Sequence, residues 1–87
     1  MDDEERIHKD VLSIVATYGK VRQPFGPDRD LYADLGIESV NAVSILLALE
    51  SRFGLHIDDA RFVEARTVNA LVDLVGQKPV ESGSRVA

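Results

Sequence analysis

Apolar residues recur at helical spacing from the start of the chain. Ile7, Val11, Ile14, Val15 and Tyr18 follow one another at steps of four, three, one and three, which is one face of a 3.6-residue period. This predicts a helix over Asp3 to Tyr18, with acids in its first turn at the positive end of the helix dipole and Gly19 as its stop. The period then disappears. Lys20 to Asp30 carries Pro24, Gly26 and Pro27 and reads as a loop, its end pinned to the core by Leu31, Tyr32 and Leu35. A second helix is expected from Ser39 or Val40 to Phe53, closed by Gly54. Leu55 to Ile57 reads as extended, and Asp58 can cap a short helix through Phe62. Thr67 can cap a last helix in which Val68, Leu71, Val72 and Val75 share a face, with Gly76 and Pro79 closing it. The expected fold class is all-α: a small four-helix bundle of three main helices plus one short helix, spanning residues 1–76. Residues 77–87, rich in Gly, Ser and Pro, read as a flexible tail. The expected core is Ile7, Val11, Ile14, Leu46, Leu49, Phe53, Val68, Leu71 and Val72.

The second helix has two apolar faces. At about 100° per residue, Ala42, Leu46, Leu49 and Phe53 form the core stripe, flanked by Val43 and Ile45. Val40, Ser44, Leu47 and Ser51 fall on roughly the opposite side. Single exposed aliphatics are ordinary. A merely solvated face would nevertheless carry charges, and two aliphatics with two serines point instead to a partner surface.

Composition limits what that partner can be. The chain has 87 residues, 45% hydrophobic and 29% charged, enough for one small folded domain. It has no cysteine, which excludes disulfides, thiolate metal sites and cysteine nucleophiles. A net charge of −5 disfavours nucleic acid and anionic membrane surfaces and favours basic protein partners. No apolar stretch reaches membrane-spanning length, and Asp2 to Glu5 are acidic where a signal peptide would be basic. A cytosolic monomer is expected.

Ser39 is the residue of chemical interest. As an N-cap it would accept a hydrogen bond from an early helix N–H, although Ala42 stands where a capping box would place Glu or Gln. A serine nucleophile needs a histidine base and an orienting acid. His8 falls on the polar side of the first helix and His56 beyond the far end of the second, so both are expected to be exposed and a triad is disfavoured. The two histidines lack further ligands at zinc spacing, and neither Asp58-Asp59 nor Asp2 to Glu5 has the spacing of a calcium loop. A cap and a covalent attachment point remain open.

The run Asp34-Leu35-Gly36-Ile37-Glu38-Ser39-Val40 resembles the acyl carrier protein signature, leucine-glycine-any-aspartate-serine-leucine. The likeness continues through Ala48-Leu49-Glu50-Ser51-Arg52-Phe53-Gly54, Ile57-Asp58-Asp59 and Thr67-Val68 with Leu71, and covers about Ile7 to Val75. The resemblance implies a non-catalytic carrier. Ser39 would hold a 4′-phosphopantetheine arm, delivered from coenzyme A by a magnesium-dependent phosphopantetheinyl transferase. The arm's thiol would carry acyl groups as thioesters to acyl-loading and acyl-processing enzymes. The partner-binding positions would be Glu38, Val40, Asn41, Ser44, Leu47 and Glu50.

The chain departs from the family pattern in telling places. Glu38 replaces the usual aspartate and Val40 the usual leucine. The second helix is poor in acids, with Glu50 its only one after Glu38. This argues against general fatty-acid synthesis and for a specialised fatty-acid or polyketide-type pathway. An aminoacyl or peptidyl carrier is the alternative, disfavoured by Ile37 where peptidyl carriers have a second glycine. A different class of reading is a helical docking domain that never carries an arm and uses Val40 and Leu47 as anchors.

Overall fold

The computed structural model describes residues 3–76. Among them are four helices and no strand: α1 (Asp3–Gly19), α2 (Ser39–Phe53), α3 (Asp59–Glu64) and α4 (Val68–Gly76). The expected all-α bundle is therefore the fold. The tail expected at 77–87 lies outside the described residues.

α1 packs against both α2 and α4, and the short α3 packs on α4. The buried side chains come from every helix and from the loops between them: Val11 and Val15, Leu31 and Ile37, Ala42, Ile45 and Leu49, Ile57, Phe62 and Ala65, and Val68, Leu71, Val72 and Val75. No polar or charged side chain is buried among the described residues. The four expected apolar positions of α4 are all in the core. Asp10 of α1 and Arg52 of α2 add an exposed ion pair, 2.8 Å, across those two helices.

Several helix ends follow the sequence signals. Gly54 adopts a left-handed conformation, φ 64°, and its N–H bonds to the Glu50 carbonyl. Thr67 Oγ1 accepts a bond of 3.0 Å from the Ala70 N–H, capping α4. α3 runs two residues beyond the expected Phe62, to Glu64.

Gly19 acts differently from the stop signal it resembles. The left-handed residue after α1 is Lys20, φ 60°, and the Val21 N–H bonds back to the Ala16 carbonyl at 3.0 Å, as in a Schellman ending. Gly19 is instead the last helical residue and buried. A β-carbon there would lie 2.8 Å from Ile37 Cδ1 and 3.3 Å from Ile45 Cδ1. The glycine lets the loop bearing Ile37 lie directly on α1.

The expected core needs four corrections. Ile7, Ile14, Leu46 and Phe53 are half-buried, each packed on the edge of the core. On α2 the stripe is Ala42, Ile45 and Leu49, so Ile45 is central (1% exposed) whereas Val43, read as flanking the core, is 55% exposed. The helix is rotated so that its 45 side meets α1 and its 43–46 side turns towards α3. Tyr18, assigned to the inner face of α1, is largely exposed at 45%.

Candidate functional site

Ser39 is the first helical residue of α2, one position inside the cap. The cap residue is Glu38, with extended backbone (φ −81°, ψ 151°) and no side-chain capping bond. The N–H groups of Asn41 and Ala42 both donate to the Glu38 carbonyl, at 2.9 and 3.0 Å. The N–H groups of Ser39 and Val40 are left as the ones without a helical acceptor. The first turn of α2 contains no acid. The N-cap reading of Ser39 is thus corrected: its side chain is exposed at a helix N-terminus and is not the cap.

Ser39 also forms part of a groove between α2 and α3 of about 580 Å³. Ala42, Val43 and Leu46 of α2 and Phe62 and Val63 of α3 give it apolar walls. Tyr32 and Arg66 border it as well, and Asp59 is its acid. The sequence reading missed this groove. Its one available signal was that Val43, Leu46 and Phe62 are more apolar residues than a thin core needs.

The segment leading into Ser39 is fastened from a distance. The Asp30 carboxylate accepts the N–H groups of Tyr32 and Ala33 at 2.9 and 2.8 Å, forming the turn that lifts Leu31 into the core. The same carboxylate receives Arg66 through Nε at 2.8 Å and Nη2 at 3.0 Å. The Arg66 guanidinium lies over the Tyr32 ring, 4.9 Å from its centroid. The Leu31 N–H donates to the Arg66 carbonyl at 2.8 Å. The Arg66 side-chain bond, and then these two backbone N–H groups, hold the Asp30 carboxyl down to about 2.

A depressed carboxyl contributes stability above its unfolded value, near 4, and loses it as pH falls through its folded value. Asp30→Asn should therefore be less stable than the wild type at neutral pH. The difference should shrink below about pH 4 and be gone only once the pH lies well below about 2. Urea denaturation of both proteins across that range checks this; a gap that is unchanged at low pH would mean the carboxylate's charge is not what holds the turn.

The other expected site residues divide into two sets. Val40 (69% exposed), Ser44, Leu47 (58% exposed) and the cap residue Glu38 are on the open surface, and Asn41 is half-buried. Val43 and Val63, not anticipated, extend the exposed apolar positions onto the groove rim. Glu50 turns inward instead. Its Oε2 accepts the Ile57 N–H at 2.8 Å and lies 3.4 Å from His56 Nδ1, tying the α2–α3 connection together. His56 is exposed as expected, while His8 is half-buried. Among the described residues, no three His, Cys, Asp or Glu side chains are grouped to hold a metal ion.

The family model described as the phosphopantetheine attachment site matches residues 9–75. The chain belongs to the acyl carrier protein family. It is 30% identical over 78 residues to acyl carrier protein 2, mitochondrial, of Arabidopsis thaliana, covering 88% of this chain and 62% of that protein. To the mitochondrial acyl carrier protein of Saccharomyces cerevisiae it is 25% identical over 81 residues, 87% of this chain and 65% of the relative. The chain thus spans under two thirds of the length of these relatives. Their names overturn the cytosolic expectation, since the acyl carrier relatives are mitochondrial. That expectation rested on the absence of cysteine, of a membrane-spanning apolar stretch and of a basic signal-peptide pattern, and none of these distinguishes one reducing compartment from another.

Acyl carrier proteins are non-catalytic and hold 4′-phosphopantetheine covalently. The α2 terminus of this carrier fits such a group. It offers an exposed hydroxyl, N–H groups without helical acceptors for a phosphodiester, and a groove beside them lined by apolar side chains.

Proposed function

We propose that Ser39 is the attachment point of the 4′-phosphopantetheine arm and that the chain presents acyl thioesters to partner enzymes of a specialised fatty-acid or polyketide-type pathway. The observation that carries this reading is the exposed Ser39 side chain at the first position of α2, at the mouth of the α2–α3 groove. When bound, the arm supplies the thiol that the chain itself lacks. The protein's own part is to hold the arm's base at a rigid helix end and to raise the local concentration of cargo at each partner's active site. Incubation with coenzyme A and a phosphopantetheinyl transferase, followed by intact mass and peptide mapping, tests the reading. One arm on Ser39 is expected; an arm elsewhere, or none with several transferases, overturns it.

Partner enzymes are proposed to dock on the open side of α2, at Val40, Ser44 and Leu47 with Glu38 and Asn41 beside them. Glu50 has a smaller part in this surface than its sequence position suggested, because its carboxylate holds the Ile57 N–H. The first turn of α2 has no acid, so apolar contact should outweigh long-range steering and binding should depend only weakly on salt. Leu47→Ala should slow acyl loading by a cognate enzyme while changing stability by no more than about 0.5 kcal/mol, as for an exposed side chain. Loading kinetics at low and high salt check both statements. Normal loading of Leu47→Ala, or a steep salt dependence of the wild type, would remove this face as the docking surface.

A further inference from the structure

The carrier reading makes no use of the cation beside the arm's base. Among the described residues lining the α2–α3 groove, Arg66 is the only cation and Asp59 the only acid. They stand at opposite ends of α3: Asp59 opens the helix and Arg66 follows its close. Arg66 lines the groove together with Ser39 and is tied through the backbone to the segment that leads into it. Its carbonyl accepts the Leu31 N–H at 2.8 Å, the Leu31 carbonyl accepts the Ile37 N–H at 3.0 Å, and Ser39 follows two residues later. Two backbone bonds and one short stretch of chain thus bring Arg66 and Ser39 to the same groove.

The bonding of Arg66 leaves capacity unused. A guanidinium has five N–H donors in a planar fork. Asp30 receives one from Nε and one from Nη2. The same carboxylate also accepts the Tyr32 and Ala33 N–H groups, so it serves four donors from three residues. The Arg66 side chain is 48% exposed, so its other donors are open to a ligand. Stacking on Tyr32 and the fork onto Asp30 fix the orientation of the plane in advance. An anion attached at Ser39 meets an acid at Glu38 and a chain of net charge −5, and both oppose it.

We propose that Arg66 is the counter-ion of the phosphodiester joining the arm to Ser39. This rests on the attachment reading above. Charge-assisted hydrogen bonds between guanidinium and phosphate oxygens are the strong, directional kind, and an arginine already oriented loses less entropy in making them. The bound arm then starts along the groove, and Arg66 links it to the Asp30 turn. Because the site is half open to water, the contact directs the arm more than it stabilises the fold.

The test uses the full chain in its apo and holo forms. Peptide mapping first locates the arm. The side-chain ¹⁵N resonances of Arg66 are then compared between apo and holo wild type. The ³¹P resonance of the phosphodiester is compared among holo wild type, Arg66→Gln and Asp30→Asn. The Arg66 resonances should shift on arm attachment. The ³¹P resonance should move and narrow in Arg66→Gln, where the phosphate loses its partner. It should move less in Asp30→Asn, which loosens the hold on the guanidinium but keeps the cation and its stacking on Tyr32. Superimposable Arg66 signals in apo and holo protein overturn the proposal, and that comparison needs no variant to fold. A ³¹P signal unchanged in Arg66→Gln, or moved equally in Asp30→Asn, overturns it too. Mapping of the arm to another residue overturns the attachment reading and this inference together, whereas these spectroscopic outcomes overturn this inference alone.

Discussion

Ser39→Ala should accept no phosphopantetheine from coenzyme A, while the wild type gains the mass of one arm. The loss should be complete, because a methyl group offers no oxygen for the phosphodiester bond. The structure separates this chemical effect from a folding effect. Glu38, not Ser39, caps α2, and it does so through its backbone carbonyl with no side-chain bond. Removing the Ser39 hydroxyl therefore removes no capping interaction, and alanine is a better helix former than serine by a few tenths of a kcal/mol. Helical circular dichroism and the urea midpoint of Ser39→Ala should match or slightly exceed those of the wild type. Ser44 and Ser51 are exposed serines on the same helix and serve as internal controls. Residual modification of Ser39→Ala would mean that one of these, or another hydroxyl, is the acceptor. A folded but unmodified variant would tie the chemistry to the one hydroxyl at the start of α2.

Residues whose meaning is local were legible in the sequence. The Gly54 ending of α2, the Thr67 cap of α4 and the apolar face Val68, Leu71, Val72 and Val75 each depend on a few neighbours along the chain. The place of Ser39 at the start of α2 was legible too, although its neighbours did not reveal that Glu38 and not Ser39 is the cap. What sequence reading misjudged was set by packing between distant elements. Val43, Ile45, Leu46, Leu47 and Leu49 are all apolar, so periodicity alone left the rotation of α2 undetermined. Contact with α1 chose Ile45 over Leu46, and α3 left Val43 and Leu46 as groove walls. Gly19 looks like a conformational stop, yet its conformation is helical and its need is space for Ile37. The Asp30–Arg66 pair joins residues 36 apart and leaves no periodic trace. The same holds for Glu50, whose carboxylate looks free on a helical wheel until the chain turns back to offer the Ile57 N–H.

Leu49→Ala should be the most damaging of the simple α2 truncations, and clearly worse than Phe53→Ala. Sequence reasoning placed Phe53 in the core because it lies about one turn beyond Leu49 on the same wheel. The structure corrects that placement. Leu49 is fully buried (0% exposed), whereas Phe53 is half-buried at the edge with Arg52 near its ring. Truncating a fully buried leucine removes its transfer energy and leaves a cavity that the surrounding helices close only in part, about 2–5 kcal/mol. The Phe53 ring still touches water in the folded state, so less area is re-exposed and no closed cavity remains. Its loss should fall below the about 3–5 kcal/mol typical of a buried aromatic. A domain of this size has only about 5–15 kcal/mol in total, so Leu49→Ala should populate unfolded protein at moderate temperature while Phe53→Ala stays folded. Urea titration of both variants, followed by circular dichroism, measures the order directly. If Phe53→Ala proved the weaker protein, Phe53 would have to be buried in solution, and α2 would sit rotated towards the stripe Ala42, Leu46, Leu49 and Phe53. That rotation would also close the groove beside Ser39, so the stability order of these two variants tests the site's geometry as well as the core.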